Sequence, residues 1–416
     1  LTSAALAVLS SAQVAAIGTE QIAALSTAQI QAITTAGFAA MSTEQIAAIE
    51  TSDIAVLKTT QIAELGTSSI AALTTEQIVA ITSVQVQAIT SAGMAALSTD
   101  QLVALETRDI AALRTTQVAA LTTDTIAALT TAQAQALTSA GIAVLSTNQV
   151  AALGTAQVAA LTTAQVQAIT TAGIAAMTTD QIAAFETRDV AVLKTTQVQA
   201  ITTDGVAALT TAQAQALTTN GIANLSTSQL AVLTTDAVAA LTSVQVQAIT
   251  TAGIAALTTE QVAALETGDV AVLKTTQVAA LSTGGVAALS TTQILALTSL
   301  QVQAISTAAI AALTTEQIVA LETIDVAALR TTQVVALTTD AVAALTTAQA
   351  QALSTAGIAT LSTSQIVALT TDAVAALSTA QVQAITTARI AALGTDQLAA
   401  LETRDVAVLR TPQVAA

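Results

Sequence analysis

"FETRDVAVLKTTQVQA", residues 185–200, is two octads in register, "FETRDVAV" and "LKTTQVQA". Each opens on a large apolar residue (Phe185, Leu193), has Thr third (Thr187, Thr195) and Val sixth (Val190, Val198). The frame extends both ways without a slip. From Leu1 to Ala416 the chain divides into 52 octads, the first "LTSAALAV" and the last "LRTPQVAA". With positions labelled a to h, a is always Leu, Ile, Met or Phe, and c is always Ser or Thr. Position e is mostly Gln, f mostly Val or Ile, and g and h mostly Ala. Self-similarity at a fixed short period is the mark of stacked repeats.

The apolar positions f and a lie three apart with Ala between them, which is helical spacing rather than the alternation of a strand. Thr at c can cap a helix with its hydroxyl, so d is expected to be the first helical residue. The single proline, Pro412, falls at d, in the first turn that tolerates it. The expected unit is a capped helix of about six residues running from d to the next a. So short a helix cannot stand alone and must stack on its neighbours. The expected fold class is therefore all-α, an octapeptide-repeat solenoid spanning 1–416 as a single domain. A β-solenoid is the alternative, because Thr, Val and Ile favour strands.

A second period overlies the first. Some octads carry Gln at g ("LSTAQIQA", with Gln31), and others carry Glu at b with Asp at e ("IETSDIAV", with Glu50 and Asp53). These two kinds of marker recur at steps of 24 or 32 residues, apart from one extra Gln octad at 193. The mean step predicts about 27 residues per coil and about fifteen coils. The marker pattern itself repeats after 216 residues, from Glu50 to Glu266, Glu106 to Glu322 and Glu186 to Glu402. The chain thus reads as a near-duplication, about 1–216 and 217–416.

The octad after each Glu/Asp marker has a base at b: Lys58, Arg114, Lys194, Lys274, Arg330 or Arg410. Glu and the following Lys or Arg then occupy equivalent positions on consecutive octads. A surface ion pair is expected there, worth about 0–1 kcal/mol and more useful for register than for stability. Acids also stand at d before most markers, as at Glu20, Glu44 and Glu76. They are expected to point outward, and the acids together to form a solvated ladder of about one carboxylate per coil.

Composition narrows the function. Net charge is −16 with ten Lys and Arg, which argues against a grip on nucleic acid. Mean hydropathy is high, +0.72, yet Ser or Thr interrupts every eight residues and no run approaches a membrane span. No basic segment followed by an apolar stretch marks a signal peptide. Both ends fall in mid-pattern, so the chain could be part of a longer one. There is no Cys to set a redox compartment and no His or Cys to activate a nucleophile. No enzyme is expected, and no catalytic, cofactor-binding or metal-ligating residue is assigned. Calcium bridging along the acid ladder through oxygen ligands is the one cofactor alternative, with no EF-hand or glycine-rich nonapeptide motif to support it.

"LRTPQVAA" (409–416) is similar to the "L-T-P-x-Q-V-x-A" opening of some DNA-reading helical repeats. The similarity covers one capped turn; the longer repeat, base-reading loop and basic surface are missing, and no function follows. Over its whole length the chain resembles the Thr/Ala/Gln-rich repeat tracts of very large secreted bacterial adhesins and surface fibres. That resemblance implies an extracellular or cell-surface structural role and identifies no site residue.

The expected function is a structural protomer of a fibre, filament or sheath, with the chain itself as partner through end-to-end or side-by-side contact. The alternative is an adhesin stalk or a solenoid whose Thr arrays or acid ladder bind ice, mineral or cations. An ice-binding face wants an unbroken Thr column, whereas b mixes Thr and Ser with Gly, Glu, Lys and Arg.

Overall fold

In a computed structural model of the chain, which describes residues 1–415, Thr130 shows how each octad folds. Its backbone is extended (φ −66°, ψ 160°), and its hydroxyl accepts from the Gln133 N–H at 3.2 Å. The Gln133 side chain returns the bond, its Oε1 accepting from the Thr130 N–H at 3.0 Å. This reciprocal box satisfies two of the donors that a helix start leaves free. The helix runs Thr131–Ala136, and Leu137 ends it by returning to extended backbone (φ −57°, ψ 136°). The described residues form 52 such helices, each of four to six residues, with no strand among them.

The chain is thus all-helical, and the β-solenoid alternative falls away. The expected frame needs a correction of one residue. The cap is b and not c, helices begin at c, and they finish by h rather than at the next a. The reason lies in e. With b as cap, the third helical residue is Gln, which can return the bond. With c as cap it would be the apolar f, which cannot. Pro412 accordingly sits second in the helix Thr411–Val414, capped by Arg410, still within the first turn.

The same box explains why b accepts residues that cannot cap through a side chain. Gly154 and Lys194 donate their backbone N–H groups to Gln157 and Gln197 Oε1 at 2.7 and 3.0 Å. No described residue has positive φ, glycines included.

Packing is set by f and a, as their spacing predicts. Ile126, Val158 and Ile174 at f are at most 1% exposed, and Leu129, Leu161 and Leu337 at a at most 4%. Burying each such side chain contributes about 1.5–3 kcal/mol, in a core that holds only two aromatic rings, Phe38 and Phe185. Each helix packs on the one three octads along: Thr131–Ala136 on Thr155–Ala160, and Thr259–Ala264 on Thr283–Ala288. Side chains bridge 25 to 31 residues between coils. Those spans bracket the coil length of about 27 residues read from the markers. The architecture is a helical repeat solenoid.

The chain divides into two compact units, Leu1–Leu209 and Thr210–Ala416. The boundary lies just before the end of the first 216-residue super-repeat. Within each unit the same three-octad packing recurs.

Candidate functional site

The chemistry of the repeat lies in the seams between coils. Gln133 is 2% exposed. Its Oε1 serves its own helix start, while its Nε2 donates downward to Leu102, Val103 and Leu105 carbonyls at 3.1, 3.1 and 2.8 Å. Those carbonyls belong to the C-terminal end of one helix and the turn after it, groups that a helix end leaves unpaired. One buried amide therefore ties a helix start to a helix end one coil below. Gln77, Gln181, Gln317 and Gln349 repeat the arrangement. The sequence showed the preference for Gln at e but not what its Nε2 binds, because those partners lie 28 to 31 residues away.

Where e is not Gln it is nearly always small. Gly253 shows why: a Cβ there would meet Leu230 Cδ1 at 2.5 Å and Ile249 Cγ2 at 2.8 Å. Its glycine serves close packing and not an unusual backbone.

The exceptions are Arg389 and the six Glu/Asp octads, and in those octads the expectation of a solvated ladder is partly overturned. The d acids do point outward: Glu20, Glu44 and Glu76 are exposed. The e acids are buried: Asp53, Asp109, Asp189, Asp269, Asp325 and Asp405 are 0–3% exposed. They occupy the interior position of the Gln, at the third residue of a helix, where the coil below covers them.

Three of these carboxylates have a donor in the coil below. Ser83 Oγ donates to Asp109 Oδ1 at 2.6 Å, Ser243 to Asp269 at 2.7 Å, and Ser299 to Asp325 at 2.7 Å. The equivalent residues for Asp53, Asp189 and Asp405 are Thr27, Thr163 and Thr379. Neither oxygen of Asp189 or of Asp405 has a hydrogen-bond partner. Burial pushes the Asp189 carboxyl up, against the pull of Arg188, and pushes Asp53 up together with the charge of Glu50. The outward Glu44, Glu76, Glu260 and Glu316 are held low, first by their own backbone N–H groups.

The expected ion pair between Glu and the next octad's Lys or Arg is also replaced. Arg108, Arg188 and Arg404 instead bridge Glu106, Glu186 and Glu402 within one octad, at 2.8, 2.9 and 2.7 Å. Glu at b and Arg at d share one turn, whereas the base at the next b extends toward the coil below. Lys274 Nζ donates to the Gln247 carbonyl at 3.0 Å, and Arg114 donates to that of Gln87. Both glutamines reply, Gln247 Nε2 to the Val272 carbonyl at 2.8 Å and Gln87 Nε2 to that of Ala112 at 2.9 Å. The same upward bond joins Gln31 to Val56, Gln167 to Val192, Gln303 to Ala328 and Gln383 to Val408. A Gln marker and the Glu/Asp marker one coil above thus form the two sides of one hydrogen-bonded seam.

Among the described residues no three His, Cys, Asp or Glu side chains converge as a metal site, and no helix is long and apolar enough to cross a membrane.

Every buried polar group described so far lies between coils, which defines a helical repeat protein built from octads. The family model described as the ALTTAQ repeat matches thirteen stretches: 1–27, 14–48, 46–83, 102–139, 135–163, 159–187, 182–219, 215–243, 262–299, 295–323, 318–355, 351–379 and 374–403. The chain belongs to the ALTTAQ repeat family. No curated protein matches it. "ALTTAQ" itself occurs at 128–133, spanning h, the packing residue a, the cap b, the helix start c–d and the clip Gln133.

Proposed function

We propose that this chain is a structural repeat protein of the cell exterior, a protomer of a fibre, filament or sheath that assembles through repetitive surfaces. One observation carries the reading: the interior polar chemistry is spent on holding coil to coil. Gln at e, Ser and Thr at b and the seam glutamines all bind backbone. The hydroxyls that meet a carboxylate, Ser83, Ser243 and Ser299, are likewise used between coils, each bonding a buried Asp of the coil above. What remains is an outer surface that presents the same few side chains coil after coil, on which weak contacts can add. The resemblance to secreted adhesin and fibre tracts supports the location.

Electron microscopy of the purified chain, with sedimentation across a concentration series, tests the proposal. Filaments or concentration-dependent oligomers are expected. A monodisperse monomer at high concentration would overturn it, in favour of a stalk or a solid-binding surface.

A further inference from the structure

Position g is Ala or Gln throughout the chain except at Val79, Val103, Leu295, Val319, Val335 and Val367. The first four are two pairs at the 216-residue super-repeat: Val79 with Leu295, and Val103 with Val319. All four face solvent, at 41–53% exposure. In the first unit they stand on helices that pack together, Thr75–Ala80 and Thr99–Ala104; in the second unit Thr291–Leu295 packs on Thr315–Ala320. Leu295 and Val319 line a surface depression of about 490 Å³ together with Ile324 and Glu322.

The two units differ at one key place beside these pairs. Position d of the Glu/Asp octad is Arg108 in the first unit and Ile324 in the second. Arg108 bridges Glu106 at 2.8 Å yet stays 64% exposed. Its Nε also lies 3.7 Å from Asp109 Oδ1, and because a guanidinium has five N–H donors the rest can serve a further carboxylate. Glu322, the counterpart of Glu106, has Ile324 where that arginine would be. One unit therefore offers an apolar pair with a cation, and the other an apolar hollow with an anion.

We propose that the Val79–Val103–Arg108 face of one copy docks on the Leu295–Val319–Ile324 depression of a second copy, with Arg108 reaching Glu322. The proposal rests on the self-assembly reading above and names its contact. Like faces are disfavoured: two first-unit faces would oppose Arg108 to Arg108, and two second-unit faces Glu322 to Glu322. The stem of Arg108 can lie along Ile324 while its head stays on the carboxylates. A contact between unlike faces leaves one face of each copy free for the next, which is how open assemblies grow.

The test is sedimentation velocity on the full chain and its variants, with helical circular dichroism to confirm folding. Ile324→Glu and Arg108→Glu, both at exposed positions, are each expected to weaken association about tenfold or more. Arg108→Glu combined with Glu322→Arg is expected to restore it, since b already accepts Arg at Arg114 and Arg330. Association unchanged in the single variants, or no rescue by the charge swap, overturns the docking face. Filaments that persist undiminished in Ile324→Glu would do so while leaving the fibre reading intact. A contact sensitive to both substitutions that stops at a closed dimer upholds the face and overturns the fibre. A monomer at every concentration overturns both.

Discussion

Gln133 makes five hydrogen bonds with one amide, and losing them orphans buried groups on two helices. Leaving buried polar groups unpaired costs more than the net worth of the bonds, so Gln133→Ala is expected to destabilise its unit by roughly 2–4 kcal/mol. Gln133→Glu keeps the acceptor for Thr130 but turns oxygen toward three carbonyls, and should be worse at neutral pH. Denaturant titration, read alongside local amide exchange, measures both. A cost within 0.5 kcal/mol for either variant, about that of an ordinary surface change, would contradict the clip.

Asp189 offers the complementary experiment. Thr163→Ser would place beside it the hydroxyl that Ser83 gives Asp109, and is expected to stabilise by about 1–2 kcal/mol. No gain would show that the serine pairs do not matter energetically. The pH dependence follows from the raised carboxyls of Asp53 and Asp189. A folded pKa above the unfolded one means their contribution is whole below the unfolded value, about 3.9, and is lost as pH rises through the folded value. Asp189→Asn should therefore raise the melting temperature at neutral pH, with the difference closing in acid. The outward Glu44, Glu76, Glu260 and Glu316 act in the opposite sense, their contribution fading as pH falls through their lowered folded values.

At the scale of the element, the corrected frame separates two threonines that look alike in sequence. Thr130 caps and Thr131 is the first helical residue. Thr130→Ala should cost roughly 0.5–2 kcal/mol, and Thr131→Ala less than about 0.5 kcal/mol. Equal costs in thermal melts would refute the frame. The ambiguity was resolvable in the sequence: Thr or Ser at b with Gln three residues on is a capping-box pattern. The "TT" doublet hid it, because c carries a hydroxyl in every octad. Positions a and f were legible because helical spacing is local. Ser83 and Asp109, or Gln133 and Leu105, lie too far apart in sequence for any local pattern to pair them. Only the 24- and 32-residue marker steps hinted at those seams, and they gave a period without saying which atoms meet.

At the scale of the whole molecule, nearest-neighbour packing limits how far damage spreads. Each helix packs on those three octads away, so stability is close to a sum of local terms. Leu297→Ala in the second unit empties a buried a position, 4% exposed, and should cost roughly 2–5 kcal/mol. Faster amide exchange is expected in octads within one coil of it, with the first unit, Leu1–Leu209, unchanged. Exchange that rises evenly along the chain would show global cooperativity instead.

The clip glutamines have a direction. Gln45, Gln133 and Gln317 each donate to carbonyls 28 to 31 residues nearer the N-terminus, never ahead. A chain emerging from a ribosome or an export pore, N-terminus first, thus meets each amide's partners already outside. After the first coil, each new clip glutamine can bind what is built, while the seam glutamines such as Gln31 and Gln87 close only when the next coil has followed. Growth by emergence is written into the order of donor and acceptor, and lengthening such a protein by further octads leaves that order intact.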